Sequence, residues 1–200
     1  MITSACYPIC PYSTQINFKA VVDTLIPSSI MAYQSGWTFQ YGGVDLCTWE
    51  YLMMSFDSLP TPLANKTSHL LDVAAFFIYK EYGHSSFSPC EGLFSTLSRK
   101  DRFVALDYLL NLQIPPGMLP VPYRNDPVLI QITVDSIYQL TYFGYYSEWY
   151  GYGETRCNPP SFRHLCTYPI SWSYTGYPGP SFGYRDFRGY LLNMQNLKSE

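Results

Sequence analysis

Apolar residues return at helical spacing five times along this chain. Phe18, Val21, Val22 and Leu25 stand at i, i+3, i+4 and i+7, which gathers them on one face of a helix. Ser13 or Thr14 is placed to cap that helix and Pro27 to end it. Trp49, Leu52, Met53 and Phe56 predict a second helix, closed by Pro60. The third stripe is the strongest: Leu70, Ala74, Phe77 and Ile78, widened by Leu71 and Phe76, between Pro62 and Gly83. Phe103, Leu106, Leu109 and Leu110 form the fourth. Leu129, Ile132, Ser136, Leu140 and Phe143 form the fifth. Two of these helices carry start signals. Ser98-Arg-Lys-Asp101 reads as a capping box, in which the Ser98 oxygen accepts from an amide three residues on and Asp101 reaches back. Asp126-Pro127 sets a capping carboxylate before a proline at the first helical position.

Between the stripes, 27–43 reads as a loop carrying Trp37, Phe39 and Tyr41, and 84–97 as a loop with a helical turn at 91–97. The run Ile114-Pro-Pro-Gly-Met-Leu-Pro-Val-Pro breaks the fourth helix and predicts a hinge at 114–122. No strand run rivals the five stripes, so the expected fold is all-α. It is one domain spanning 1–200: a loose arm over 1–15, an irregular bundle of about five helices over 16–146, and an extended, aromatic, Gly/Pro-rich C-terminal arm over 147–190.

Composition matters most in the stretch 141–190, where aromatic rings alternate with Gly, Pro and Ser and no period survives beyond Phe143. Such rings need a surface to lie on, either this chain's own bundle or another protein. Charged residues make up 14 % of the chain, against about a quarter in ordinary domains, and aromatic residues 18 %, so much of the surface is suited to being covered. No lysine lies between Lys100 and Lys198, where the cations are arginines. Aromatic, Arg-bearing, Lys-poor surface is the composition of an interface. The expected partner-binding residues are Trp149, Tyr150, Tyr152, Trp172, Tyr177 and Tyr184 as aromatic anchors, with Arg156 and Arg185 pairing with partner carboxylates. Trp149 and Trp172 lead that set, because Trp dominates binding hot spots.

Charge and chemistry narrow the picture further. A net charge of −3 gives no electrostatic case for nucleic acid or an anionic membrane, and the apolar run Val73–Tyr79 is too short to span a bilayer. The first eleven residues have no basic n-region, long apolar stretch or twin arginine, so a cytoplasmic chain with six reduced cysteines is expected. Cys157, His164 and Cys166 supply only three of the four ligands a structural zinc requires, and no metal is expected there. Phosphate-loop, dinucleotide, Gly-x-Ser-x-Gly and His-Glu-x-x-His patterns are absent. Glu148 and Glu154, near Trp149 and Tyr152, could be an acid/base pair in a sugar cleft. Solvated or Arg-paired carboxylates explain them more simply. No catalytic residue and no cofactor of its own is expected in the chain. Two other classes fit the aromatic composition: a carbohydrate-binding module stacking the tail's rings on sugars, and a Tyr- and Cys-cross-linked coat protein. The helical stripes count against the second.

Several segments are similar to one family. Phe-Lys-Ala-Val-Val-Asp-Thr-Leu-Ile-Pro (18–27) resembles the opening helix of the gluconate 2-dehydrogenase subunit 3 family, and Arg102-Phe103 to Leu110 its middle helix. Phe-Gly-Tyr-Tyr-Ser-Glu-Trp-Tyr-Gly-Tyr-Gly (143–153) resembles its late helix and glycine-rich turn. Gly-Tyr-Pro-Gly-Pro-Ser-Phe-Gly-Tyr-Arg (176–185) resembles the closing motif of its Gram-positive-type members. The resemblance runs in order over about 16–190. It implies a small, non-catalytic accessory subunit that stabilises or matures a large FAD-dependent, GMC-type dehydrogenase of sugars or sugar acids. FAD belongs to that partner, and a cytochrome c subunit often completes the complex, which in the family is often membrane-associated or extracytoplasmic. Many members carry a twin-arginine signal, and this chain departs from them in showing none.

Overall fold

Phe18, Val21 and Val22 on helix α1 (Tyr12–Leu25) are fully enclosed. They share one core with Leu52, Met53 and Phe56 of α2 (Thr48–Asp57) and with Leu70, Leu71, Ala74 and Ile78 of α3 (Ala64–Glu81). The computed structural model describes residues 12–33, 36–82 and 92–179. A short α4 (Leu93–Thr96), α5 (Arg99–Leu110), the long α6 (Pro127–Tyr146) and a short α7 (Ile170–Thr175) complete an irregular all-α bundle. Helix α1 crosses α2, α3 and α4, while α5 lies on α3 and α6 lies on α2. Enclosing one Phe or Leu side chain is worth about 1.5–3 kcal/mol, so the apolar stripes themselves drive the assembly.

The start signals expected for the fourth and fifth helices operate, one with altered detail, whereas Ser13 and Thr14 lie inside α1 and do not cap it. The Ser98 hydroxyl accepts from the Asp101 amide (3.2 Å), but it donates to the Asp101 carboxylate (2.6 Å), which also accepts from the Tyr82 hydroxyl. The Asp126 carboxylate accepts from the Leu129 amide at 2.9 Å.

One polar cluster lies inside. The Asn17 amide donates to Asp72 Oδ1 (2.7 Å) and to Ser68 Oγ (2.9 Å), and its oxygen accepts from the Ser95 amide (3.1 Å). Asp72, only 5 % exposed, also accepts from the Gly92 and Phe94 amides at 2.9 and 3.0 Å. Asn17 and Asp72 thereby accept from the N–H groups at the start of α4 and fasten that turn to α1 and α3.

Five expectations are corrected. Within 27–43 the chain forms an antiparallel hairpin, β1 (Ser29–Tyr33) with β2 (Gly36–Gln40), in which Ile30 faces Phe39. The alternation Trp37-Thr38-Phe39-Gln40 is a strand signal that helical stripes on either side obscured. The Pro-rich segment 114–122 is no free hinge: Ile114, Leu119 and the adjoining Tyr123 are buried, and the Tyr123 and Thr67 hydroxyls are hydrogen-bonded at 2.8 Å. Phe103 is partly exposed, and α5 buries Ala105, Leu106 and Leu109 instead. Through residue 179 the C-terminal arm is not extended but coiled against the bundle, in 3-10 turns at Tyr150–Cys157 and Pro160–Phe162 and then α7. Residues 180–190 of that arm, and 1–11 of the N-terminal arm, lie outside the described residues, while residues 12–15 already belong to α1.

Burial lifts the Asp72 carboxyl above its ordinary range, and the donors from Phe94, Asn17 and Gly92 pull it down without cancelling that rise. A carboxyl with a raised folded pKa binds its proton more tightly in the fold than in the unfolded chain. Stability therefore falls as pH rises from the ordinary aspartate range through the raised value. Urea unfolding of wild type and Asp72→Asn across a pH series, from about pH 3 upward, measures this. The stability of wild type relative to the variant is expected to fall with rising pH, and a rise would show that the hydrogen bonds outweigh burial.

Candidate docking surface

The site is built by the end of α6 and the coil after it. Ser147 closes the helix, its hydroxyl donating to the Gly144 carbonyl (3.0 Å) and accepting from the Trp149 amide (3.2 Å). That turn drives the Trp149 indole inward. Its Nε1 donates to the Cys47 carbonyl (3.0 Å), its ring meets Tyr51 edge-to-face at 5.5 Å, and the Arg163 guanidinium lies 5.4 Å over it. Farther on, Arg156 Nε donates to Glu50 Oε2 at 2.6 Å and Nη2 to Oε1 at 3.4 Å, while Nη1 donates to the Gly153 carbonyl. Glu50 has no exposed surface and Arg156 is 6 % exposed. Burial would lower the Arg156 pKa, but the hydrogen bond and charge of Glu50 more than offset it, so the cation is held firmly.

The chain then returns past Gly151, whose carbonyl accepts from the Cys166 and Thr167 amides. A Cβ at Gly151 would stand 2.6 Å from the Thr167 oxygen, so this crossing requires glycine. Helix α7 brings Trp172 back to α6. Its Nε1 donates to the Tyr146 carbonyl at 2.8 Å, and Tyr168 and Tyr177 pack edge-to-face on it at 5.4 and 5.0 Å. The Tyr168 hydroxyl donates to the Tyr177 carbonyl and fixes that corner.

Three of the expected anchors therefore sit inside the chain's own packing. Trp149 and Trp172 are each 3 % exposed, and Arg156 is committed to Glu50. Their size and polarity suited an interface, but the physical partner that satisfies them is intramolecular. Tyr150 and Tyr152 are half-buried, Tyr177 is exposed, and Tyr184 and Arg185 lie outside the described residues. Cys157 is disulfide-bonded, against the expectation of reduced thiols, whereas Cys47 and Cys166 are free. Burial, reinforced by Glu50, pushes the Cys47 thiol pKa up and keeps it a poor nucleophile. Among the described residues no group of three His, Cys, Asp or Glu could hold a metal ion, and no helix is long and apolar enough to cross a membrane.

The surface that is exposed comes from elsewhere. Helix α6 buries Ile130, Thr133, Val134, Ile137, Thr141, Gly144 and Tyr145, not the stripe its large residues suggest. A Cβ at Gly144 would stand 2.5 Å from Tyr51 Cδ1, so the small inner residues let α2 approach closely. Ile132, Tyr142, Phe143 and Tyr146 consequently face outward, Phe143 being 63 % exposed. With Gln139, Ser147, Glu148, Trp172 and Tyr177, the last three of these aromatics line an open cleft of about 630 Å3. Glu148 lines that cleft and Glu154 does not.

The hairpin adjoins this surface. The Tyr41 amide donates to the Tyr174 hydroxyl (3.0 Å), and the Tyr145 hydroxyl, its pKa pushed up to about 12 chiefly by burial, donates to the Tyr41 carbonyl (2.8 Å). Ile30, Trp37 and Phe39 share one face of the hairpin and are exposed, Trp37 to 78 %. Sequence reasoning missed the two parts differently: Ile132 and Phe143 were read as facing inward on α6, while 27–43 was read as a loop. The available signal was surplus, since α6 carries more large apolar residues than one face can bury.

No family model, curated protein or solved structure matches this chain.

Removing the Arg156 side chain would leave the enclosed Glu50 without its guanidinium. Arg156→Ala is therefore expected to cost about 3–5 kcal/mol of stability, read by urea unfolding. A loss within the range of an ordinary exposed ion pair, about 0–1 kcal/mol, would contradict the pair's structural role.

Proposed function

We propose that this chain is a non-catalytic accessory subunit that docks a larger protein through the outward face of α6, the α7 corner and the adjoining hairpin. The observation that carries this reading is the cleft region itself: Tyr142, Phe143, Tyr146 and Tyr177 remain exposed beside a tail whose tryptophans are fully employed. Apolar surface of this kind, exposed together and rimmed by polar groups, marks binding sites. The low content of charge agrees with a chain that is partly covered when it works. The resemblance to the gluconate 2-dehydrogenase subunit 3 family supports a specific partner, a large FAD-dependent, GMC-type oxidoreductase that carries the flavin and the chemistry. A cytochrome c subunit would join the same complex. The carbohydrate-binding alternative receives less support, because the two tail tryptophans that would stack on sugar rings are each covered by their own neighbours.

Capture from native cells tests the proposal. Tagged wild type is expected to bring down a large protein in stoichiometric amount, with a flavin absorbance spectrum absent from this chain alone. The double substitution Phe143→Ser with Tyr146→Ser is expected to weaken capture by about 2 kcal/mol or more, about thirtyfold, with an unchanged circular dichroism spectrum. A colourless eluate holding this chain alone would refute the subunit reading. Undiminished capture by the double variant would refute the choice of surface.

A further inference from the structure

We propose that the cleft between α6 and α7 is a socket for an arginine side chain of the partner protein. This rests on the docking reading and adds the chemistry by which one point of the surface is recognised.

The lining defines the ligand. Tyr142, Phe143, Tyr146, Trp172 and Tyr177 line it with aromatic rings. Trp172 and Tyr177 meet at 83°, which gives the cleft an aromatic corner rather than a flat floor. Among the described residues, Glu148 is the one charged residue lining the cleft, and Gln139 adds an amide. Among the described residues, no hydrogen bond or ion pair engages the Glu148 carboxylate. Ring faces carry negative quadrupole potential and Glu148 carries negative charge, so the cleft repels anions and favours a cation. Its volume of about 630 Å3 lies within the range of about 300–1,000 Å3 typical of ligand clefts.

The choice among cations follows from shape. A guanidinium is planar, weakly hydrated, stacks on rings and donates a pair of parallel N–H groups to a carboxylate. An ammonium is compact and strongly hydrated, and it gives up more on entering an aromatic corner with one carboxylate. The chain already uses this chemistry inside itself, where Arg163 lies over the Trp149 ring and Arg156 forks onto Glu50. Among the described residues, the cleft has the rings and the carboxylate of that arrangement and no arginine lines it.

The test titrates the full chain with N-acetyl-arginine methylamide, following the tryptophan indole NMR signals. The lysine analogue and the neutral, nearly isosteric citrulline analogue serve as comparisons. Saturable arginine binding that shifts the Trp172 indole is expected, with citrulline about tenfold weaker. Glu148→Gln should weaken arginine binding about three- to tenfold and leave citrulline unchanged. No arginine binding, equal binding of citrulline or lysine, or arginine binding indifferent to Glu148→Gln would each overturn the proposal. Free arginine binding more tightly than the capped probe would overturn the polypeptide origin of the side chain. Capture from native cells separates the two readings. A flavoprotein retained equally by wild type and Glu148→Gln keeps the docking reading and removes the socket. Arginine binding by a chain that captures nothing keeps the cleft's chemistry and removes the docking partner.

Discussion

A carboxylate with no exposed surface, Glu50 on α2, constrains the coil that follows α6. Burying an ionised carboxylate costs several kcal/mol unless a well-placed cation and hydrogen bonds offset it. Arg156 supplies that cation from a segment more than a hundred residues away. To deliver it, the chain must turn sharply after α6, which the Ser147 and Trp149 hydrogen bonds achieve, and then cross itself at Gly151. Once Arg156 is seated, Trp149 is closed between Tyr51, Arg163 and the Cys47 carbonyl, and α7 brings Trp172 down on the end of α6. Through residue 179 the tail is thus part of the fold, and its two tryptophans are structural.

The same geometry decides what is left outside. Helix α6 presents threonines and a glycine to α2, so the two backbones lie close and the tail can bridge them. Ile132, Tyr142, Phe143 and Tyr146 lie off that seam and face solvent. The docking surface arises as the complement of a tight inner seam. Asn17 and Asp72 play a comparable part at the opposite side of the core, where a buried carboxylate and amide hold the short α4 turn against α1 and α3.

Much of the bundle was legible in the sequence, because the stripes of α1, α2 and α3 bury one face each and periodicity reads such helices well. The capping residues Ser98 and Asp126 were legible for a local reason: their hydrogen bonds are made within three residues. Helix α6 was located correctly, but of its expected stripe Leu129 and Leu140 pack on the core while Ile132 and Phe143 face outward, since both faces are apolar and period alone cannot choose between them. The hairpin at 29–40 was missed because its apolar face points outward, where alternation brings no burial. Trp149, Trp172 and Arg156 were read as belonging to an interface because residue type does not distinguish an external partner from a distant part of the same chain. Only the pairing with Glu50 and Tyr146, across long sequence separations, makes that distinction.

Hydroxyl-radical footprinting, read residue by residue by mass spectrometry, tests the central claim most directly when applied to the isolated chain and to the complex captured from native cells. The account predicts Trp149 and Trp172 protected in both samples. It predicts Phe143, Tyr146 and Tyr177 reactive in the isolated chain and protected in the complex. Ready oxidation of Trp149 and Trp172 in the isolated chain, or Phe143 as reactive in the complex as alone, would contradict it.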